Sequence, residues 1–263
     1  MKLSCQEQLL PGDSILEKWE FATSAGFDGI ELRGMDDWSE RLGKLKAARE
    51  QGVVFSSVCV ISDRFIGDLD ANRRREAVEH MKRLLSGIAE LGGVGAITPA
   101  AFGLTSRALP PFSAPRTEVE DRRVLLDALE ELGEHADEAG VLVLLEPLNR
   151  YEDHMLNRLE QAVELSKSVG RASVRVMGDL FHMNIEEDDP GESIRRADGH
   201  LAHVHLADSN RAHPGAGHND FASALGALSD IGFDGYLAME CAIRGDAETV
   251  LPQVVRYLRS LMG

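Results

Sequence analysis

Cysteine is scarce in this chain. Cys5, Cys59 and Cys241 are the only three in 263 residues, and their odd number and wide spacing match no zinc or redox motif. A disulfide-built scaffold is excluded, and reduced, mostly buried thiols are expected. Basic charge is also in deficit. The 28 Lys and Arg stand against 44 Asp and Glu, a formal net charge of −16, which argues against a grip on nucleic acid or on anionic membranes. No apolar run reaches the length of a membrane span, and MKLSCQEQLLPG lacks a signal-peptide core, so a cytoplasmic protein is expected. Aromatic residues make up only 5%, so Leu, Val, Ile and Ala must pack the core. No strand-like run leads into a Gly-rich dinucleotide fingerprint, which disfavours a doubly wound sheet, and there is no P-loop. The lysines (Lys2, Lys18, Lys44, Lys46, Lys82 and Lys167) all fall in helical stretches or at the amino end of the first strand. Schiff-base chemistry at a strand's carboxyl end has no nucleophile.

What the chain does have is alternation. Short runs rich in Val, Ile and Leu recur near 2–6, 27–33, 53–60, 94–98, 141–146, 173–179, 201–206 and 235–240. Amphipathic stretches lie between and after them, near 13–25, 37–51, 71–92, 117–139, 156–169, 190–199, 219–231 and 247–262. Gly52, Gly140 and Gly170 sit where helices should stop, and AGFDG and IGFDG each place a helix-ending Gly before a turn into a strand. Eight strands and eight helices without an interior linker predict a single (β/α)8 TIM barrel over residues 1–263. The longest loops, near 61–70, 99–116, 147–155 and 207–218, then all fall on the catalytic rim.

Four strand-like runs end on a metal-type ligand: VLVLLE on Glu146, SVRVMGD on Asp179, LAHVH on His205 and YLAME on Glu240. Any one alone is more often a helix cap, a surface charge or a bonded core histidine. Together, at the ends of neighbouring strands, they can face one point. Three oxygens and one imidazole suit Mn²⁺, Mg²⁺ or Co²⁺ better than a thiolate-loving metal. His203 shares the face of His205, one layer deeper, and reads as an interior neighbour of the site. The following loops offer Asn149, Glu152, His182, Asp208 and Arg211. For Glu152 a pairing with Arg150 or a helix cap is the bland reading, and for Arg211 a solvated surface arginine. Phe65, Phe102, Phe112 and Tyr151 could wall a pocket, and Arg107 or Arg116 could bind a phosphate or face solvent.

The segments LLEPLNRYE, GDLFHMNIEE, HVHLADSNRAHPGAGHNDF and YLAMEC resemble the sugar isomerase/epimerase family of xylose isomerase-like barrels, and within it the ketose 3-epimerases of the D-tagatose and D-psicose type. The likeness covers the second half of the chain. It implies one divalent metal ion, Mn²⁺ first, on Glu146, Asp179, His205 and Glu240, with Glu146 and Glu240 as the acid/base pair. Glu152, His182 and Arg211 would contact the sugar. The expected activity is inversion of C3 of a ketose through an enediolate, by a homodimer or homotetramer. An aldose–ketose or hydroxypyruvate-type isomerase, or a dehydratase of an inosose or dehydroshikimate-like acid, would use the same site. An apurinic-site endonuclease would need more histidines and a basic groove. Leu180 departs from the Thr that many relatives carry there, and the first half has no matching sugar-pocket motif.

Overall fold

The computed structural model describes residues 1–103 and 113–262. The first half runs β1 (Lys2–Gln6), α1 (Ile15–Ala25), β2 (Gly29–Gly34), α2 (Trp38–Glu50), β3 (Phe55–Val60), α3 (Ala71–Leu91), β4 (Gly95–Pro99) and α4 (Glu118–Ala139). The second runs β5 (Leu142–Glu146), α5 (Leu159–Val169), β6 (Val174–Asp179), α6 (Leu180–Glu186), α7 (Pro190–Arg196), β7 (Leu201–Leu206), α8 (Phe221–Asp230), β8 (Tyr236–Met239) and α9 (Ala247–Leu261). Each strand pairs in parallel with the next, and β8 pairs with β1. The result is the closed barrel that alternation predicted. The short helix α6 is additional to the eight expected, and the helix expected over 190–199 stops at Arg196.

Local chemistry explains the punctuation. Ser14 and Thr117 open α1 and α4 with capping boxes completed by Glu17 and Glu120, satisfying orphan backbone donors at both ends of the reciprocal pair. Gly26 and Gly140 close the same helices with left-handed backbone, φ 95° and 71°, where a Cβ would be strained. Helix α3 buries Val78, Met81, Leu85 and Ile88 at three- and four-residue spacing against the strands. The main apolar core therefore lies between the barrel and its helical ring.

Inside the barrel the filling is divided. Cys59, Ile97, Leu144 and Met177, from β3 to β6, form a buried apolar cluster of their own. Gln6, Glu31, Ser57, His203 and His205, from β1, β2, β3 and β7, are also buried. Register shifts between Ile30 and Glu31 on β2, and between Val176 and Met177 on β6, pair Glu31 with Ser57 and Asp179 with His205. Such irregularities re-aim side chains next to functional sites.

Candidate active site

Glu146, Asp179 and His205 lie at the carboxyl ends of β5, β6 and β7, and Glu240 follows β8 by one residue. Strand direction and closure bring all four to one point: each offers a ligand atom, and these atoms lie within 4.8 Å of one another. Asp179 also caps α6. Its Oδ1 accepts the Phe181 N–H at 2.7 Å, which leaves Oδ2 for Arg211 and the cluster. His205 Nδ1 is 3.2 Å from Glu240 Oε2 and 3.7 Å from Glu146 Oε1. Both His205 Nδ1 and Glu146 Oε1 are buried without a hydrogen-bond partner. Leaving such atoms unsatisfied costs about 1–3 kcal/mol each. A cation bound between them would satisfy both, so this donor set fits a hard divalent ion.

The orientation of His205 is set from below. Its Nε2–H faces Glu31 Oε1 at 2.8 Å, so Nδ1 is the nitrogen turned to the cluster. Glu31 has no exposed surface and accepts four bonds: from Gln6 Nε2 (3.0 Å), Ser57 Oγ (2.7 Å), His203 Nε2 (2.9 Å) and His205 Nε2. The same Gln6 amide also reaches Glu240 Oε1 at 3.0 Å. Burial alone would push Glu31 up, but His205 and His203 hold its carboxyl well below the ordinary range.

The cleft above the cluster has a volume of about 220 Å³ and two unlike walls. Glu146, Glu152, His182, Arg211 and Glu240 form the polar wall; Val60, Ile61, Phe65, Pro99, Phe102 and Leu148 form most of the other. The Asn149 backbone N–H donates to His182 Nδ1 at 3.2 Å, and the Asn149 amide adds a bond at 2.8 Å. His182 Nε2 then faces the cleft, 3.3 Å from Arg211 Nη1, 3.7 Å from Asp179 Oδ2 and 3.9 Å from Glu152 Oε2. The Arg211 guanidinium donates to Asp179 Oδ2 at 2.6 Å and to Glu240 Oε2, and stacks 4.7 Å from the Phe181 ring centre. Arg211 holds a left-handed backbone (φ 59°), which costs roughly 1–2 kcal/mol for a non-Gly residue. The Ala242 N–H bonded to its carbonyl at 2.8 Å pins it there.

Burial pushes the Glu146 carboxyl above the ordinary range. Burial opposes ionisation of Glu240 too, yet His205 and Arg211 outweigh it and hold that carboxyl at about 2. The two carboxyls of the cluster are thus pushed in opposite directions. Burial, reinforced by Glu240, raises the Cys59 thiol, so this cleft cysteine stays protonated.

Every expected site residue among Glu146, Glu152, Asp179, His182, His205, Arg211 and Glu240 reaches this one place. Arg211 is no solvated surface arginine, and Arg150 pairs with Glu186 at 2.8 Å, leaving Glu152 for the cleft. His203 lies one layer below His205, as expected. Asp208 turns away and organises its loop by accepting the N–H groups of Ser209, Gly215 and Asn219. Arg116 is no phosphate ligand of the cleft: it is bound to Asp121 (2.6 Å) and to the Gly67 and Asp68 carbonyls. Phe65 and Phe102 wall the cleft, whereas Tyr151 is not among its lining residues. Arg107 and Phe112 lie outside the described residues. The free cysteines are as expected, with Cys5 and Cys59 buried. Sequence reasoning missed Gln6, Glu31 and Ser57. The available signal was Glu31 itself, a charge in the middle of the strand run GIELRG.

Residues 19–261 match the xylose isomerase-like TIM barrel family. The chain is 37% identical over 247 residues to 3-dehydro-D-guloside 4-epimerase of Escherichia coli K12, covering 94% of each chain. It is 31% identical over 226 residues to D-psicose 3-epimerase of Agrobacterium fabrum, covering 84% of this chain and 77% of that one. The crystal structure of 3-keto-D-glucoside 4-epimerase from E. coli superimposes with a TM-score of 0.93 at 35% identity, covering 99% of both chains. The chain belongs to the xylose isomerase-like TIM barrel family. Within that family it is a carbohydrate epimerase, acting on a small sugar substrate. No described helix is long and apolar enough to cross a membrane.

Proposed function

We propose that the chain inverts a carbinol carbon next to a ketone in a sugar, with Glu146 and Glu240 as the proton-transferring pair. The observation that carries this reading is their placement. They are a buried and a half-buried carboxylate, on β5 and after β8, three strands apart; both line one cleft, and Asp179 and His205 lie between them beneath it. A proton next to a carbonyl can be removed by one carboxylate and returned to the opposite face by the other, and the roles exchange with reaction direction. Positioned transfer of this kind contributes roughly 10²–10⁴-fold in rate.

Glu146, Asp179, His205 and Glu240 would hold one divalent ion, Mn²⁺ first, with Mg²⁺ or Co²⁺ as alternatives. Bound there, the ion supplies Lewis acidity to the ketone and neighbouring hydroxyl oxygens. The His182 Nε2–H and the Arg211 guanidinium donate to oxygens that gain negative charge as the proton leaves. Glu152 accepts from a substrate hydroxyl, and the apolar wall of Phe65, Phe102 and Leu148 keeps bulk water from the reacting carbon.

The substrate class best supported is a 3-oxo-glycoside inverted at C4. The 4-epimerase likeness extends over 94% of both chains, while the D-psicose enzyme is matched over 77% of its length. Inversion of a ketose at C3 is the second reading, favoured by the likeness to the D-psicose enzyme; it differs only in which side of a ketone is presented to the carboxylates. Proton exchange in D2O distinguishes them. Mn²⁺-activated enzyme is incubated with methyl 3-oxo-glucopyranoside or with D-allulose, chelated with EDTA, and the sugars are read by NMR. Deuterium at C4 of the glycoside with its C4 epimer supports the first reading. Deuterium at C3 of the ketose with its C3 epimer supports the second. Absence of exchange in both, with Mn²⁺ bound, overturns the proposal, and full activity after verified metal removal overturns the role given to the ion.

A further inference from the structure

We infer that Glu31 is a positioning residue for the metal-binding cluster, acting through two separate limbs. The inference rests on the metal-site reading above and adds to it what holds that site in shape. The first limb is direct: Glu31 Oε1 accepts His205 Nε2–H at 2.8 Å, fixing the ring so that Nδ1 is the nitrogen turned toward Glu146 and Glu240. The second passes through Gln6, whose amide bridges Glu31 Oε1 and Glu240 Oε1 at 3.0 Å each. One buried carboxylate thus orients two of the four ligands, contributed by elements remote from it in sequence.

Glu31 is itself locked. Ser57 Oγ and His203 Nε2 donate to its other oxygen at 2.7 and 2.9 Å. The register shift between Ile30 and Glu31 sets Glu31 opposite Ser57, and Gln6 is its register partner on β1. A carboxylate whose rotamer is fixed from β1, β3 and β7 together can hold an imidazole plane, and an imidazole so held loses less freedom on ligation. His203 serves as a strut under Glu31, one layer below the cluster. The Glu31–His203–His205 group is itself close enough to bind an ion, but Glu31 already accepts both imidazoles at hydrogen-bond distance. The geometry therefore assigns the group a supporting role.

The test compares Mn²⁺ affinity by EPR titration across Glu31→Leu, Glu31→Gln and Ile97→Ala, the last in the apolar half of the interior. Loss of such outer partners lowers metal affinity roughly 10–100-fold. Glu31→Leu is expected to show a loss of that size. Glu31→Gln, which keeps one acceptor for His205, is expected to recover part of it. Ile97→Ala is expected to stay within about twofold of the parent although it lowers stability, which separates positioning from general loosening. Equal Mn²⁺ affinity in the parent and both Glu31 variants overturns this inference alone. A parent that binds no Mn²⁺ overturns the metal-site reading with it. Should Glu31→Leu not fold, ¹⁵N NMR of the Zn²⁺-loaded parent decides: a proton on His205 Nε2 with ligation through Nδ1 supports the inference, and the reverse tautomer overturns it.

Discussion

Where β3 to β6 face inward, the barrel is filled by Cys59, Ile97, Leu144 and Met177, which need only shape to fit. Where β1, β2 and β7 face inward, Gln6, Glu31, His203 and His205 fill it, and Ser57 of β3 closes their network onto Glu31. The contacts that hold Glu31 in that half are hydrogen bonds, which are directional. The apolar half can exchange one hydrocarbon for another of similar volume at small cost. The polar half has no such freedom, because each buried donor left without its acceptor costs about 1–3 kcal/mol. The cluster of Glu146, Asp179, His205 and Glu240 sits at the mouth above both halves. The apolar half supplies rigidity there, and the polar half supplies orientation.

The largest expected effect breaks the functional end of the polar side. Glu240→Gln removes a proton-transferring carboxylate and one anionic ligand. Turnover in the D2O exchange assay should fall at least 10²–10⁴-fold, with an unchanged circular dichroism spectrum; near-normal turnover would sink the two-carboxylate mechanism.

Breaking the apolar half gives the opposite signature. Ile97→Ala should cost about 2–5 kcal/mol in urea unfolding and lower turnover little at saturating Mn²⁺. If turnover collapsed while stability held, the division of labour between the halves would be wrong.

A second buried carboxylate sharpens the comparison. Asp153 is fully buried like Glu31, but its Oδ2 has no partner, and burial pushes its carboxyl up to about 7. The folded chain then keeps a proton that the unfolded chain releases near the ordinary aspartate value. The stability this group contributes is full below about pH 4 and is lost as pH rises through about 7. Between pH 5 and pH 8 the parent should therefore lose about 3 kcal/mol relative to Asp153→Asn, read from paired urea titrations. Parallel stability curves for the two proteins would show that Asp153 is ionised in the fold.

The smallest effect trims one strut. Ser57→Ala removes one of the four donors to Glu31 and should cost about 1 kcal/mol of stability, with Mn²⁺ affinity lowered only a few-fold. A loss as large as that of Glu31→Leu would mean that Ser57, and not the imidazoles, fixes the carboxylate.

Much of the site was legible in the sequence because a strand's carboxyl end is a local feature. Glu146, Asp179 and His205 each close an apolar run, Glu240 follows one, and parallel alternation sends all such ends to one rim. His182 was legible as the residue a helical turn beyond Asp179, and α6 supplies that turn. The extra helix and the early end of α7 were not legible, because short helices depend on how Asp179 and Asp189 cap them. Arg116 read as a free cation in a long loop, but Asp121 and two carbonyls claim it, and those partners are set by packing.

Glu31 marks the boundary. Its charge inside GIELRG was visible as an anomaly, yet what it touches lies 25 residues away at Gln6, 26 at Ser57 and 174 at His205. The sequence alone determined the alternation, hence the barrel and the rim on which ligands gather, because period-two and helical patterns are read within a few residues. Closure of β8 onto β1 and the register shifts decided which inward side chains meet, which nitrogen of His205 faces the cluster, and where the interior is polar. Those outcomes depend on distances between segments far apart in the chain, which only the folded barrel brings together.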